Sequence, residues 1–151
     1  MKNLDKTLYF DTSALLPYYR LEVLTHNVQA VLNATKSEVF INDLTEVEFA
    51  SAVARWVRMN EATEAEALAI QHKFAEHKVL GYYTYQPLSI SDFKQAKDWL
   101  LQRKTALRTL DALHLAFAAR MKAVLVTAEK HLGQAAKEFG VRYQLLIART
   151  H

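Results

Sequence analysis

Four acidic residues, Asp11, Glu48, Asp111 and Glu129, fall where carboxylates do more than solvate a surface. Asp11 closes the run Thr7–Phe10, which reads as a short strand. Glu48 lies in the first turn of the helix expected after a second strand, Glu38–Ile41. Asp111 lies in the first turn of a helix beginning near Thr109, and Glu129 follows the β-branched run Val124–Thr127. In an open parallel sheet, groups just beyond the carboxyl ends of strands converge on one crevice. Two carboxylates about 4 Å apart repel by roughly 4 kcal/mol at an effective dielectric of 20. A crevice shared by several must take up protons or hold a cation, and oxygen-only ligands suit a hard ion such as Mg²⁺ or Mn²⁺.

Each acid alone also has a structural explanation. Thr45-Glu46-Val47-Glu48 reads as a capping box, with Glu48 at the reciprocating position. Asp111 and Glu129 occupy first helical turns, where the macrodipole stabilises any carboxylate by about 0.3–1 kcal/mol. Asp11 is harder to explain this way, because a carboxylate ending a central strand is desolvated and needs partners. Zinc is disfavoured. The chain has no cysteine, His72 and His77 are five apart, and no His-Glu-x-x-His run occurs.

The elements that must position these acids alternate along the chain. Helices are expected over Thr25–Thr35, Thr45–Met59, Thr63–Lys78, Ser91–Lys104, Thr109–Met121 and from Glu129 to Gly140. Further strands are expected over Tyr82–Gln86, Val124–Thr127 and Val141–Leu145. That alternation predicts an α/β fold, a short, mostly parallel sheet flanked by helices on both faces. The 151 residues predict a single domain over 1–151, and 51% apolar composition provides a core without staples. Only 3 Gly and 2 Pro exclude collagen-like and linker-rich chains. The net charge of +3 permits a polyanionic partner without selecting one. No apolar run approaches the roughly 20 residues that span a bilayer. The start MKNLDKTLYFD has charges on both sides of Leu4, so a cytoplasmic protein is expected.

The segments YFDTSALL (Tyr9–Leu16), LTEVEFASAVAR (Leu44–Arg55), LRTLDALHLAFA (Leu107–Ala118) and LVTAEKHLGQAAKEFG (Leu125–Gly140) resemble the four signature blocks of PIN domains. More narrowly, they resemble the VapC-like ribonuclease toxins of toxin–antitoxin pairs. The resemblance implies a PIN-like fold in which Asp11, Glu48 and Asp111 are the catalytic acids holding a divalent cation. Glu48 rather than Glu46 aligns with the family acid, and side chains two apart on a helix face different ways. Ser13 matches a small hydroxyl residue supporting the first acid. Thr127 and Glu129 match a block that usually reads Thr-x-Asp, so Glu129 departs from it by one methylene and is the fourth metal-ligand candidate. The implied reaction is internal cleavage of RNA with Mg²⁺ or Mn²⁺. The implied partners are a cognate antitoxin and a second copy in a homodimer, for which the apolar hairpin Leu44–Lys78 offers a surface.

Other groups carry weaker signals. His114, three residues after Asp111, tempts assignment as a general base but reads better as a packed or hydrogen-bonded helix residue. Tyr82, Tyr83 and Tyr85 read as strand aromatics that pack. Arg55, Arg58, Arg103, Lys104 and Arg108 could line a phosphate path, though the pattern selects none of them. Three other functions stay open: a phosphoryl-transfer or dehalogenase-type enzyme with Asp11 as covalent nucleophile, a non-catalytic PIN-like RNA- or protein-binding module, and an RNA-processing nuclease without an antitoxin. The first typically wants a second acid where Ser13 stands.

Overall fold

The computed structural model describes residues 7–148. The reading of the charged N-terminal stretch falls, up to residue 6, outside them. The strands are short: β1 (Leu8–Phe10), β2 (Val39–Ile41), β3 (Thr84–Tyr85), β4 (Val124–Thr127) and β5 (Tyr143–Leu145). They form a five-stranded sheet in the order β3-β2-β1-β4-β5, and every pair runs parallel. All but β4 are shorter than the sequence suggests, and β3 and β5 each begin two residues late because helix ends take their first residues. The Tyr82 amide donates to the His77 carbonyl at 3.0 Å, and the Val141 amide to the Ala136 carbonyl at 2.8 Å. Neither amide is left for the ladder.

The helices are α1 (Thr12–Tyr19), α2 (Thr25–Ala34), α3 (Asp43–Arg58), α4 (Glu64–Val79), α5 (Ile90–Gln102), α6 (Thr109–Met121) and α7 (Lys130–Glu138). Alternation along the strands sends side chains to two cores. Tyr9, Phe40 and Leu125 meet Trp99, Leu115, Phe117 and Leu132 from α5, α6 and α7. Phe10, Ile41 and Val126 meet Leu15, Val28, Phe49 and Phe74 from α1 to α4. Burying each such side chain contributes about 1.5–3 kcal/mol, so a sheet of very short strands is held mainly by its covered faces.

Helix starts decide where the acids point. The capping box of α3 is formed by Asn42 and Thr45, three residues earlier than the sequence suggests. Asn42 accepts from the Thr45 amide at 3.0 Å, leaving Glu48 in the second turn with no capping duty. The box at Thr63 and Glu66 occurs as expected, whereas α5 starts from Ser89 with Asp92 rather than from Ser91. Thr109 lies inside α6, which Arg108 precedes without a side-chain cap. Asp11 itself caps α1. The chain moves outward from β1 through β2 to β3, then returns to lay β4 against the other side of β1. The strand order therefore reverses between β1 and β4, where open parallel sheets bind ligands. Among the described residues, no helix is long and apolar enough to cross a membrane.

Candidate active site

Asp11 sits at that reversal. Its amide continues the pairing of β1 with β4 by donating to the Val126 carbonyl at 3.0 Å. Its side chain is buried and takes three donors: Ser13 Oγ at 2.8 Å and the Ala14 amide at 3.1 Å on Oδ1, and Thr127 Oγ1 at 2.7 Å on Oδ2. Burial nevertheless dominates and raises its pKa above the usual aspartate value, against the pull of His114, Thr127, Ser13 and Ala14. Ser13 and Thr127, the two hydroxyl residues named beside this acid in the sequence, each donate to it.

Glu48 approaches from α3. Thr12 Oγ1 donates to Oε1 at 2.7 Å, and His114 Nε2 bonds the same oxygen. Among the described residues, Oε2 takes no hydrogen bond. Partial burial pushes the Glu48 pKa up, but the His114 and Thr12 interactions prevail and leave it below the usual glutamate value. A carboxylate only accepts, so the Nε2 proton of His114 belongs to this bond. The other ring nitrogen, Nδ1, meets the buried Tyr9 hydroxyl, which accepts from Asn42 Nδ2 at 3.0 Å. His114 is thus buried and hydrogen-bonded, as its helix position suggests, and its partner is a candidate site acid. The charges of Asp11 and Glu48 both help raise the Tyr9 pKa, though desolvation is the larger cause.

Asp111 projects from α6 one turn before His114. His131 Nε2, from the first turn of α7, lies 3.0 Å from Asp111 Oδ2 and 3.1 Å from Glu129 Oε2. Ligand atoms of these three residues lie within 4.8 Å of one another. The Glu129 amide donates to Thr127 Oγ1 at 3.0 Å, the hydroxyl that also bonds Asp11. A continuous circuit results: Asp11 to Thr127, Glu129, His131 and Asp111, then along α6 to His114, Glu48 and Thr12, which is bonded to Asp11 in the chain. Among the described residues, no Lys or Arg forms an ion pair with any of these acids, whereas Glu46 pairs with Lys78 at 2.8 Å and Asp92 with Arg120 at 2.7 Å.

A family model described as the PIN domain matches residues 8–138, which include all four acids. The chain belongs to the PIN domain family. VapBC2 from Rickettsia felis, solved bound to a DNA fragment from its promoter, aligns with a TM-score of 0.63 at 14% identity, over 92% of this chain and 98% of that one. VapC20 from Mycobacterium tuberculosis, a toxin that cleaves the sarcin–ricin loop, aligns with a TM-score of 0.64 at 12% identity, over 85% and 94%. A toxin–antitoxin complex from Klebsiella pneumoniae gives 0.57 at 16% identity, over 82% and 88%. At these identities the likeness is one of fold. Comparison with curated protein sequences finds no match.

The tight group in this PIN site is not the three acids the sequence singles out. Asp111 and Glu129 come together around His131, while Asp11 and Glu48 join through hydroxyls and His114. Four contributors escape the sequence reading: Thr12, Tyr9, Asn42 and His131. Thr12 and Asn42 look like ordinary helix-start residues, and Tyr9 like an ordinary strand aromatic. His131 carries a signal that the spacing offers but that acids alone obscure. It stands two residues after Glu129, within one helical turn of the end of β4. The PIN residues present suit a divalent ion, since among the described residues Glu48, Asp111 and Glu129 form ion pairs with histidines and none with Lys or Arg.

Proposed function

We propose that this PIN chain, acting as one unit over residues 1–151, is a metal-dependent endoribonuclease that hydrolyses RNA phosphodiesters as the toxin of a toxin–antitoxin pair. The observation carrying this reading is the set of carboxylates at the reversal of strand order, held by hydroxyls and imidazoles and, among the described residues, in no ion pair with Lys or Arg. Asp11, Glu48 and Asp111, with Glu129, would hold Mg²⁺ or Mn²⁺. Such an ion supplies charge opposite the phosphoryl and leaving oxygens and acidifies a water.

The chain's own groups supply position. Ser13 and Thr127 fix both oxygens of Asp11, and Thr12 with His114 fixes one oxygen of Glu48, while the other takes no hydrogen bond among the described residues and would be open to an ion. Donors locked in place before substrate arrives remove reorganisation from the reaction step. A cleft of about 410 Å³ adjoins the site through His131 and is lined by Arg103, Lys104, Thr105 and Gln134. Arg103 and Lys104, two of the cations weighed from sequence, line this cleft together with Glu138 and would meet a phosphate backbone that entered it. The proposed partners are RNA, a cognate antitoxin and a second copy of the chain. On the α3–α4 hairpin, Val47, Met59, Val79 and Leu80 are exposed and give such a protein contact apolar area.

The test is cleavage of structured RNA by purified protein with Mg²⁺ or Mn²⁺. Cleavage is expected to stop with EDTA and to be absent in a folded Asp11→Asn variant. Cleavage that persists in EDTA, or in Asp11→Asn, overturns the proposal.

A further inference from the structure

We infer that His131 is itself a metal ligand, and that Asp111, Glu129 and His131 form a nitrogen-bearing site that favours a divalent transition ion such as Mn²⁺ over Mg²⁺. This rests on the reading above that the carboxylates hold a divalent ion, and it adds an imidazole to a set otherwise made of oxygen.

The geometry carries it. Nε2 of His131 lies 3.0 Å from Asp111 Oδ2 and 3.1 Å from Glu129 Oε2. A ring nitrogen bears at most one proton, and the hydrogen bond here goes to Asp111. The Glu129 oxygen therefore approaches the same nitrogen without a proton of its own to accept. Ligands at about 2.1 Å from one ion and at right angles stand about 3.0 Å apart, the edge of an octahedron. Both separations match that edge. His131 and Glu129 are partly exposed, so an ion reaches them from solvent, and the neighbouring cleft opens onto His131. Mg²⁺ keeps its waters and takes oxygen donors, whereas Mn²⁺, though also at home among carboxylates, stands in the transition series and accepts an imidazole more readily than Mg²⁺ does. One imidazole among two carboxylates therefore tilts the choice of ion without abolishing Mg²⁺ binding.

The competing role for His131 is that of an internal cation, bridging Asp111 and Glu129 until an ion displaces it. The two roles predict opposite signs. In full-length protein, titration calorimetry should show Mn²⁺ affinity falling about 10-fold or more in His131→Gln, with Mg²⁺ affinity changing by less than about 2-fold. Pulsed electron paramagnetic resonance of bound Mn²⁺ should show the nitrogen-14 modulation of a ligated imidazole in the parent and lose it in His131→Gln. His131→Asp, which restores an oxygen donor, should bind Mg²⁺ more tightly than His131→Gln does. Rising affinity for both ions in His131→Gln, modulation absent from the parent, or modulation that survives the substitution would each overturn the inference. None of these readouts needs RNA, so absence of cleavage with the nitrogen signal intact would refute the nuclease reading alone. Failure of the parent to bind either ion would refute both.

Discussion

His114 holds Glu48 from behind, one ring nitrogen on the carboxylate and the other on Tyr9 inside the sheet. The imidazole thus ties a helix-borne acid to the central strand, and the acid's orientation depends on a residue that is itself buried. Substituting His114→Ala leaves the Tyr9 hydroxyl and Glu48 Oε1 each short of a partner. An orphaned buried polar group costs about 1–3 kcal/mol, so the variant should unfold at lower denaturant. Loss of a residue that orients a ligand typically costs 10–100-fold, and RNA cleavage should fall by about that factor. Equilibrium unfolding and initial rates check the two effects separately. Destabilisation with an unchanged rate would show that Glu48 needs no support.

Glu46 and Glu48 are two apart on α3 and have different fates. Glu46 reaches Lys78 on α4 in a half-exposed ion pair, of the kind worth about 0–1 kcal/mol. Glu48 turns inward to Thr12 and His114. Glu46→Gln should therefore keep the parent's cleavage rate and nearly all its stability. Glu48→Gln should lose cleavage by about 100-fold or more, since a preorganised charge at the reacting centre is removed. Parallel assays of the two variants check this, and equal losses would refute the division of roles.

The contrast also marks what the sequence makes legible. The parallel α/β arrangement follows from short β-branched runs alternating with helical periods, and the two cores divide as the strand alternation requires. The addresses of Asp11, Asp111 and Glu129 follow from strand and helix ends, which local residue types mark well. The start of α3 is less legible. Thr45-Glu46-Val47-Glu48 and Asn42-Asp43-Leu44-Thr45 both satisfy capping chemistry, and the choice falls to Asn42, fully buried beneath Tyr9. That is a tertiary contact between residues 33 apart, invisible to local pattern. The same holds for His131 against Asp111, 20 residues away on another helix.

Glu129 gives a sharper comparison. Its carboxylate shares His131 with Asp111, so both acids should matter to the same bound ion. Glu129→Gln is expected to weaken Mn²⁺ binding and cleavage by a factor similar to that of Asp111→Asn, within about the 10–100-fold range of ligand-sphere losses. Calorimetry and rate measurements on the two variants decide it. Near-normal binding in Glu129→Gln would reduce Glu129 to a charge before the first turn of α7.

Asp11 makes the cost of the site measurable without any substrate. Burial raises its folded pKa above the ordinary 3.8, outweighing the help of His114, Thr127, Ser13 and the Ala14 amide. A carboxyl shifted upward by folding takes up protons more readily in the native than in the unfolded chain, so its ionisation weakens the fold. That loss begins as pH climbs through 3.8 and is complete once pH exceeds the folded pKa. Asp11→Asn carries no charge at any pH, and the Thr127 hydroxyl can turn to accept from the new amide. In EDTA at neutral pH the variant should therefore melt several degrees above the parent, and the gap should close as pH falls towards 3.8. A divalent ion should reverse the order. At 100 times its Kd a ligand adds about 2.7 kcal/mol to a protein that binds it, and only the parent keeps the full ligand set. Thermal melts across pH, with chelator and with Mn²⁺, test both halves. If Asp11→Asn melts below the parent in EDTA at pH 7, the buried carboxylate is stabilising, and the proposal that it is kept at a cost to the fold in order to hold an ion fails.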